Sequence, residues 1–226
     1  MSDQVNLIIG IVVILAALYF IFIQGRVPYE KPPANIMDPG AWQVGPIMGS
    51  ENMSRGVPLR PLLHLDGWSV DIPYPNTSAG QVGYITVPCG SLAGKTLVRL
   101  KFRLEMADGV KLCPAKSPDS PSLLTLYFQR RWDNWSGRWP FETFRWYASF
   151  DTLVDLHAGE YTLEARFDQN WTAIETSSRA NNPSAFLAAI DNAGRIGFVL
   201  GGGDGLGHGV FATAPSRIVV TGFTVE

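Results

Sequence analysis

The sequence predicts a mainly β protein: an antiparallel two-sheet β-sandwich (jelly roll) with one short helix, preceded by a single N-terminal transmembrane helix. Three observations support this fold class. The 226-residue chain is rich in glycine (23) and proline (16), and aromatic residues make up 12% of it. After residue 66 its apolar residues recur with a period of two, and turn residues separate these short segments. Many short strands of this kind are typical of sandwiches and jelly rolls.

The first element is an apolar run without a charged residue, LIIGIVVILAALYFIFI, from Leu7 to Ile23. A membrane-spanning helix needs roughly 17 to 25 apolar residues, so this run is long enough to span. No basic segment precedes it and no small-x-small motif follows it, which favours an uncleaved anchor over residues 1–25 rather than a signal peptide. We therefore expect a single-pass membrane protein that contacts the lipid bilayer through residues 7–23.

The side of the membrane that carries the rest of the chain stays open. Arg26 and Lys31 follow the apolar run and no Lys or Arg precedes it, so the positive-inside rule favours a cytoplasmic domain, on two charges. If the domain lies outside, Cys89 and Cys113 are candidates for one disulfide, because both end predicted strands. Two free buried thiols are the alternative.

Residues 26–65 are predicted to form a spacer. They contain seven prolines and little periodicity, and proline keeps such a segment extended. The second half also holds Trp42, Val44, Ile47 and Met48, which is enough apolar surface for it to pack on the domain as an edge strand.

A β-sandwich domain is predicted over residues 66–226. Its clearest strand is TLVRLKFRLEM, where Val98, Leu100, Phe102, Leu104 and Met106 share one face and charged residues occupy the other. EYTLEARFD repeats that pattern, whereas LLTLYFQR is apolar on both faces and is predicted to be central. The segments ETFRWYAS, RIGFVLG, GVFATA and RIVVTGFTV complete the set of strands.

One short helix is predicted in NPSAFLAAIDNAG. Asn182 is the expected N-cap, Pro183 occupies the first helical position and Gly194 is the expected stop.

Several classes of function are disfavoured. A formal net charge of −2 gives no reason to expect a nucleic-acid partner. The glycine run LGGGDGLGHGV lacks the register and the lysine of a phosphate loop, so we interpret it as a tight connection between Leu200 and Val210. Glycine lets a ligand approach the backbone closely, and Asp204 and His208 in this run are therefore candidate ligand contacts.

No cofactor is predicted from the sequence. The histidines are isolated and the two cysteines lack paired spacing, which argues against a transition-metal site. Loop aspartates leave a structural Ca²⁺ open, but no recognisable calcium motif supports one. A nucleophile elbow is absent, and carboxylates such as Asp133, Glu142 and Asp151 are only generic candidates for glycoside hydrolysis, so catalysis is not the favoured prediction.

The most informative stretch is QRRWDNWSGRWPFE, which places three tryptophans on a predicted hairpin or its rim. A sugar offers a C–H face that packs on a flat ring, and hydroxyls that need donors and acceptors. The stretch supplies both, whereas a lid over the end of the core is the alternative reading. The candidate ligand-binding residues, together with the two from the glycine run, are Trp132, Asp133, Asn134, Trp135, Arg138, Trp139, Asp204 and His208.

Residues 65–226 resemble the galactose-binding-like jelly rolls found as carbohydrate-binding modules. The resemblance is carried by the strand order, the tryptophan-bearing hairpin and the ending GVFATAPSRIVVTGFTVE. It implies that Trp132, Trp135 and Trp139 are platform residues for a sugar.

The leading hypothesis is a bacterial or viral membrane-anchored protein that binds glycan. The alternative is a structural or assembly protein of a membrane or virion surface whose tryptophan hairpin contacts a protein subunit, and a glycoside hydrolase comes third.

Overall fold

The computed structural model describes residues 29–148, 153–174, 177–203 and 205–226. The predicted anchor over residues 1–25 lies outside these ranges, and so does Asp204. No helix in the ranges that are described is long and apolar enough to cross a membrane.

The larger of two antiparallel sheets has eight strands. Six of them lie in the order β1, β6, β14, β9, β10, β13, while β11 pairs with β9 and β15 pairs with β14. Their bounds are β1 Gln43–Gly45, β6 Tyr84–Pro88, β9 Leu123–Arg130, β10 Arg145–Tyr147, β11 Val154–Asp155, β13 Thr172–Ala173, β14 Ala193–Gly202 and β15 Gly205–Leu206.

The smaller sheet has five strands, in the order β12, β7, β17, β5, β4. Two short strand pairs, β2 with β3 and β8 with β16, lie beside the sheets. The remaining bounds are β2 Ile47–Met48, β3 Glu51–Asn52, β4 Leu62–His64, β5 Gly67–Ile72, β7 Leu97–Met106, β8 Leu112–Pro114, β12 Gly159–Arg166, β16 Val210–Ala212 and β17 Ser216–Val225. A 3-10 helix spans Pro39–Ala41 and one α-helix, α1, spans Pro183–Asp191 among the described residues.

The two sheets bury their facing sides in a common hydrophobic core. Trp68 on β5 stacks against Phe198 on β14, with ring centroids 6.3 Å apart. Trp42 contacts rings on both sheets, Trp68 at 4.6 Å and Phe198 at 6.2 Å between centroids. The predicted mainly β class with antiparallel sheets is confirmed, and this layering is consistent with a β-sandwich.

The alternation predicted for the smaller sheet is confirmed in β7. Val98, Leu100, Phe102 and Leu104 are buried, whereas Lys101 is exposed. The neighbouring strand β12 pairs in register, and Tyr161 stacks on Phe102 with ring centroids 4.9 Å apart. This sheet therefore has one dry face and one wet face.

The central position predicted for LLTLYFQR is also confirmed. Strand β9 lies between β14 and β10, and its six inner residues, 124–129, are all buried. A strand buried on both faces needs cover on the side away from the core, and that cover forms the site described below.

The helix α1 begins as predicted and ends earlier than predicted. The Asn182 side chain accepts a hydrogen bond from the backbone N–H of Ala185, and Pro183 is the first helical residue. The helix ends at Asp191 with Asn192 as its C-cap. The predicted stop at Gly194 is wrong, because Gly194 already belongs to β14, where an added Cβ would lie 2.8 Å from Cγ of Arg131.

The second half of the predicted spacer is part of the packed structure. Strand β1 forms the edge of the larger sheet by pairing with β6, and Trp42 and Val44 are fully buried in the core. The Trp42 indole N–H donates to the carbonyl of Ile36 at 2.6 Å. The packed part of the chain therefore begins well before residue 66.

The candidate disulfide is wrong, because Cys89 and Cys113 are both free. Cys89 follows the C-terminal end of β6, where its N–H donates to the carbonyl of Gly194. Cys113 lies in β8, next to β16, and β16 meets the chain at Val82, before β6 begins. The length of β6, roughly 17 Å for five residues, separates the two thiols, whereas a disulfide needs Cα atoms about 4.4–6.8 Å apart.

Candidate functional site

The outer face of the larger sheet carries a second cluster of buried rings. Tyr84 on β6, Tyr127 on β9 and Tyr147 on β10 form it together with Val199 on β14. The ring of Tyr127 lies 5.0 Å from that of Tyr84 and 5.3 Å from that of Tyr147. Gly197 on the intervening strand pairs with Tyr127, and an added Cβ there would lie 2.1 Å from the carbonyl oxygen of Ile85 on β6.

The tyrosine hydroxyls form a polar layer within this cluster. The hydroxyl oxygens of Tyr84 and Tyr147 are 2.8 Å apart and share a hydrogen bond. Burial raises the pKa of all three tyrosines, so the hydroxyls stay neutral and keep their protons at physiological pH. Within the described residues, the buried hydroxyl of Tyr127 and Oε1 of Gln129 have no hydrogen-bond partner.

The tryptophan-bearing loop between β9 and β10 folds back over this face. Trp132 and Trp135 have φ angles of 67° and 64°, in the left-handed region that bulky residues rarely adopt. Asp133 explains how this backbone is held, because its carboxylate accepts from the N–H of Trp135 at 3.2 Å and from Nε2 of Gln129 at 2.7 Å. Such strain persists only where surrounding contacts determine the conformation.

Arg145 is the second residue that fixes the loop. Its Nε lies 3.0 Å from Oδ2 of Asp133 in an ion pair that is almost completely buried. Its Nη2 donates to the carbonyl of Trp135 at 3.1 Å, and the guanidinium carbon lies 5.2 Å from the centre of the Trp135 ring. Asp133 and Arg145 together hold Trp135 over the sheet.

The pKa values of this pair reflect its burial. Burial raises the pKa of the Asp133 carboxyl, against the opposing effects of Arg145 and the hydrogen bonds that it accepts. Burial lowers the pKa of Arg145, but the Asp133 carboxylate opposes this effect, so the net pKa is raised and the guanidinium keeps its charge. A fixed cation therefore lies at the base of the loop.

A cleft of about 990 Å³ opens between this loop and the outer face of the sheet. Tyr84, Tyr147 and Arg145 contribute to its surface from the sheet, and Trp135, Ser136 and Gly137 from the loop. The other walls come from three segments. Pro46, Met48 and Met53 follow β1, Gln81 precedes β6, and Gly203 and Gly205 to His208 belong to the glycine run between Leu200 and Val210, called the glycine-rich turn below. A volume near 1,000 Å³ lies at the upper end of the range for small-molecule sites.

The structure brings two of the predicted site residues together and separates the others. Trp135 and His208 both line the cleft. Trp132, Arg138 and Trp139 are exposed on the loop but do not line it. Cavities of about 440, 330 and 320 Å³ elsewhere on the described surface contain none of the predicted residues.

Two predicted ligand contacts have structural roles instead. Asp133 has no exposed surface, so its carboxylate does not face the cleft, and it positions Arg145 and the loop. Asn134 forms a local turn, in which its Oδ1 accepts from the N–H of Ser136 at 3.0 Å and from the Ser136 hydroxyl at 2.7 Å. Neither residue lines the cleft, because a short polar side chain in a tight turn bonds first to nearby backbone groups.

The residues that sequence reasoning missed are Tyr84, Arg145 and Tyr147. A signal for them existed in LLTLYFQR, because a strand that is apolar on both faces implies a covered outer face. The polar and aromatic residues of the neighbouring strands on that face are then candidates for a site.

The chain matches no protein-family model, and no curated protein is similar enough to it to count as a relative. The described residues contain no group of three or more His, Cys, Asp or Glu side chains that could hold a metal ion.

Proposed function

We propose that this protein is a glycan-binding domain carried on a membrane anchor, and that the cleft under the tryptophan-bearing loop is its sugar site. The proposal includes the finer fold type, a jelly roll of the galactose-binding-like kind. It also includes the single-pass membrane location, with residues 7–23 in the bilayer.

The observation that carries the proposal is the composition of the cleft. Three aromatic side chains, Trp135, Tyr84 and Tyr147, meet there with hydrogen-bonding groups from Gln81, Arg145 and His208. Flat rings suit the apolar face of a sugar, and the polar groups suit its hydroxyls. Arg145 is already fixed by Asp133, so a ligand would meet a preorganised donor rather than a mobile one.

Binding without hydrolysis fits this cleft better than catalysis. A glycosidase uses two carboxylates across its cleft. No described residue that lines the cleft is an Asp or a Glu, and Asp133 lies buried behind Arg145.

The test is a glycan array probed with the full-length protein in lipid nanodiscs, followed by titration of the best ligand. We expect a Trp135→Ala variant to weaken binding by at least about tenfold, since a central aromatic anchor carries much of the energy of a small contact. Trp139→Ala is the matched control, because Trp139 is 84% exposed and outside the cleft, and it should bind like the original protein. Absence of any glycan binding, or loss of binding in the control alone, would overturn the proposal.

A further inference from the structure

Tyr29 and Glu30, the first two residues that the structure describes, pack against one end of the larger sheet. The Tyr29 ring lies under the Arg131 guanidinium, with 5.2 Å from the guanidinium carbon to the ring centre. Oε2 of Glu30 accepts from Nη1 of Arg195 at 2.9 Å. Arg195, on β14, is itself buried, and its Nε donates to the hydroxyl of Thr86 on β6 at 2.9 Å.

This docking limits how far the sheet end can lie from the membrane. The inference rests on the membrane anchor in the proposed function, whose apolar run ends at Ile23. A fully extended chain spans at most about 3.6 Å per residue, so Tyr29 lies within roughly 20 Å of the end of that run. The adjacent surface of the domain is therefore held close to the bilayer.

The same end of the sheet presents cations and exposed aromatic rings. Arg130 is the last residue of β9 and Arg131 follows it, and the loop that carries Trp132, Arg138 and Trp139 connects this end of β9 to β10. Trp139 is 84% exposed, and Trp132 and Tyr29 are each 49% exposed.

Two carboxylates near these cations are already paired with arginines, whereas Asp191, next to the Asn192 carbonyl that accepts from the N–H of Arg131, is exposed. Glu30 is paired with Arg195, and Asp133 is buried against Arg145. Glu142, the other carboxylate on this loop, is half-buried, with its Oε2 inside.

Exposed tryptophan, tyrosine and arginine side chains suit a membrane interface. Trp and Tyr are enriched at the headgroup level because their rings are apolar with one polar atom. Arginine near an anionic membrane surface is attracted to the phosphates. The short tether to the anchor favours a lipid surface over a separate protein partner.

We infer that the end of the domain formed by Tyr29, Arg131, Trp132, Arg138 and Trp139 rests on anionic lipid headgroups of the membrane that holds the anchor. We refer to this surface as the membrane-facing end. Trp135 is held away from it over the sheet, so the tryptophans of one loop have two roles, one in the cleft and two at the lipid.

The test uses the full-length chain reconstituted into vesicles of phosphatidylcholine and phosphatidylglycerol, with brominated phosphatidylcholine as a quencher of tryptophan fluorescence. Trp42, Trp68, Trp146 and Trp171 are fully buried, so the three loop tryptophans should dominate any contact with lipid. We expect a Trp132→Phe, Trp139→Phe double variant to lose most of the lipid-dependent quenching. Trp135→Phe is the matched control and should be quenched like the original chain.

Flotation of the vesicles separates the two levels of the proposal. If the chain does not float with the vesicles, the anchor is wrong and the inference falls with it. If the chain floats but the double variant is quenched like the original chain, the inference alone is overturned, and the exposed rings are left for a protein partner. Omission of phosphatidylglycerol should reduce the quenching of Trp132 and Trp139 by the brominated lipid, and unchanged quenching would overturn the role of the arginines.

Discussion

The two sheets of this protein differ in what covers their outer faces. On the smaller sheet, charged side chains of β7 and β12 lie in water and pair with one another, as Arg99 does with Glu164. On the larger sheet the outer face is covered by the loop after β9, the chain after β1 and the glycine-rich turn, and it buries tyrosines and an ion pair. Covering the outer face removes water from its polar groups, which is unfavourable unless they are paired. The same covering segments enclose the cleft.

The largest expected effect is the difference in stability cost between a buried and an exposed substitution on β7 of the smaller sheet. Phe102 is 1% exposed and Lys101, its neighbour on β7, is exposed. We expect Phe102→Ala to lower the free energy of unfolding by about 3–5 kcal/mol, because it leaves a cavity in the core. Lys101→Ala should change it by less than about 0.5 kcal/mol. Urea denaturation of both variants checks this, and equal costs would mean that the face does not alternate.

The next effect compares an ion pair on each sheet. Asp133→Ala should cost about 3 kcal/mol, because it leaves the buried Arg145 guanidinium without its carboxylate. Glu164→Ala removes an exposed partner of Arg99 and should leave the urea midpoint nearly unchanged. Adding Arg145→Met to Asp133→Ala should recover part of the loss. Similar costs for the two carboxylates would show that the outer face of the larger sheet is not dry.

The smallest effect concerns reactivity rather than stability. Burial raises the pKa of the Cys89 thiol to about 12, although Arg195 and Arg131 oppose the shift. At pH 8 only about one such thiol in 10,000 is ionised, and the thiolate is the reactive form. Cys113 is half-buried, so its thiol should react first with a maleimide. We expect one labelled thiol in the folded chain and two after denaturation, measured by mass spectrometry, whereas rapid labelling of Cys89 would contradict its burial.

Local patterns were enough to predict the regular elements. Alternation in β7 reflects the two faces of one strand, and the Asn182 cap and Pro183 act within a single helical turn. The edge position of the segment around Val44 and the central position of LLTLYFQR also followed from which faces are apolar. These features depend on residues that are close in sequence, so the sequence by itself determined them.

The site depended on contacts between residues that are far apart in sequence, which no local pattern contains. Tyr84 and Tyr147 share a hydrogen bond across 63 positions, and Glu30 reaches Arg195 across 165. Whether a loop tryptophan lies in the cleft or in solvent depends on the buried Asp133–Arg145 pair, and Asp133 reads in the sequence as an ordinary turn residue. The sequence determined that the loop is aromatic and polar, and only the tertiary structure decided which of its side chains face the cleft, because burial and pairing are properties of the packed sheet.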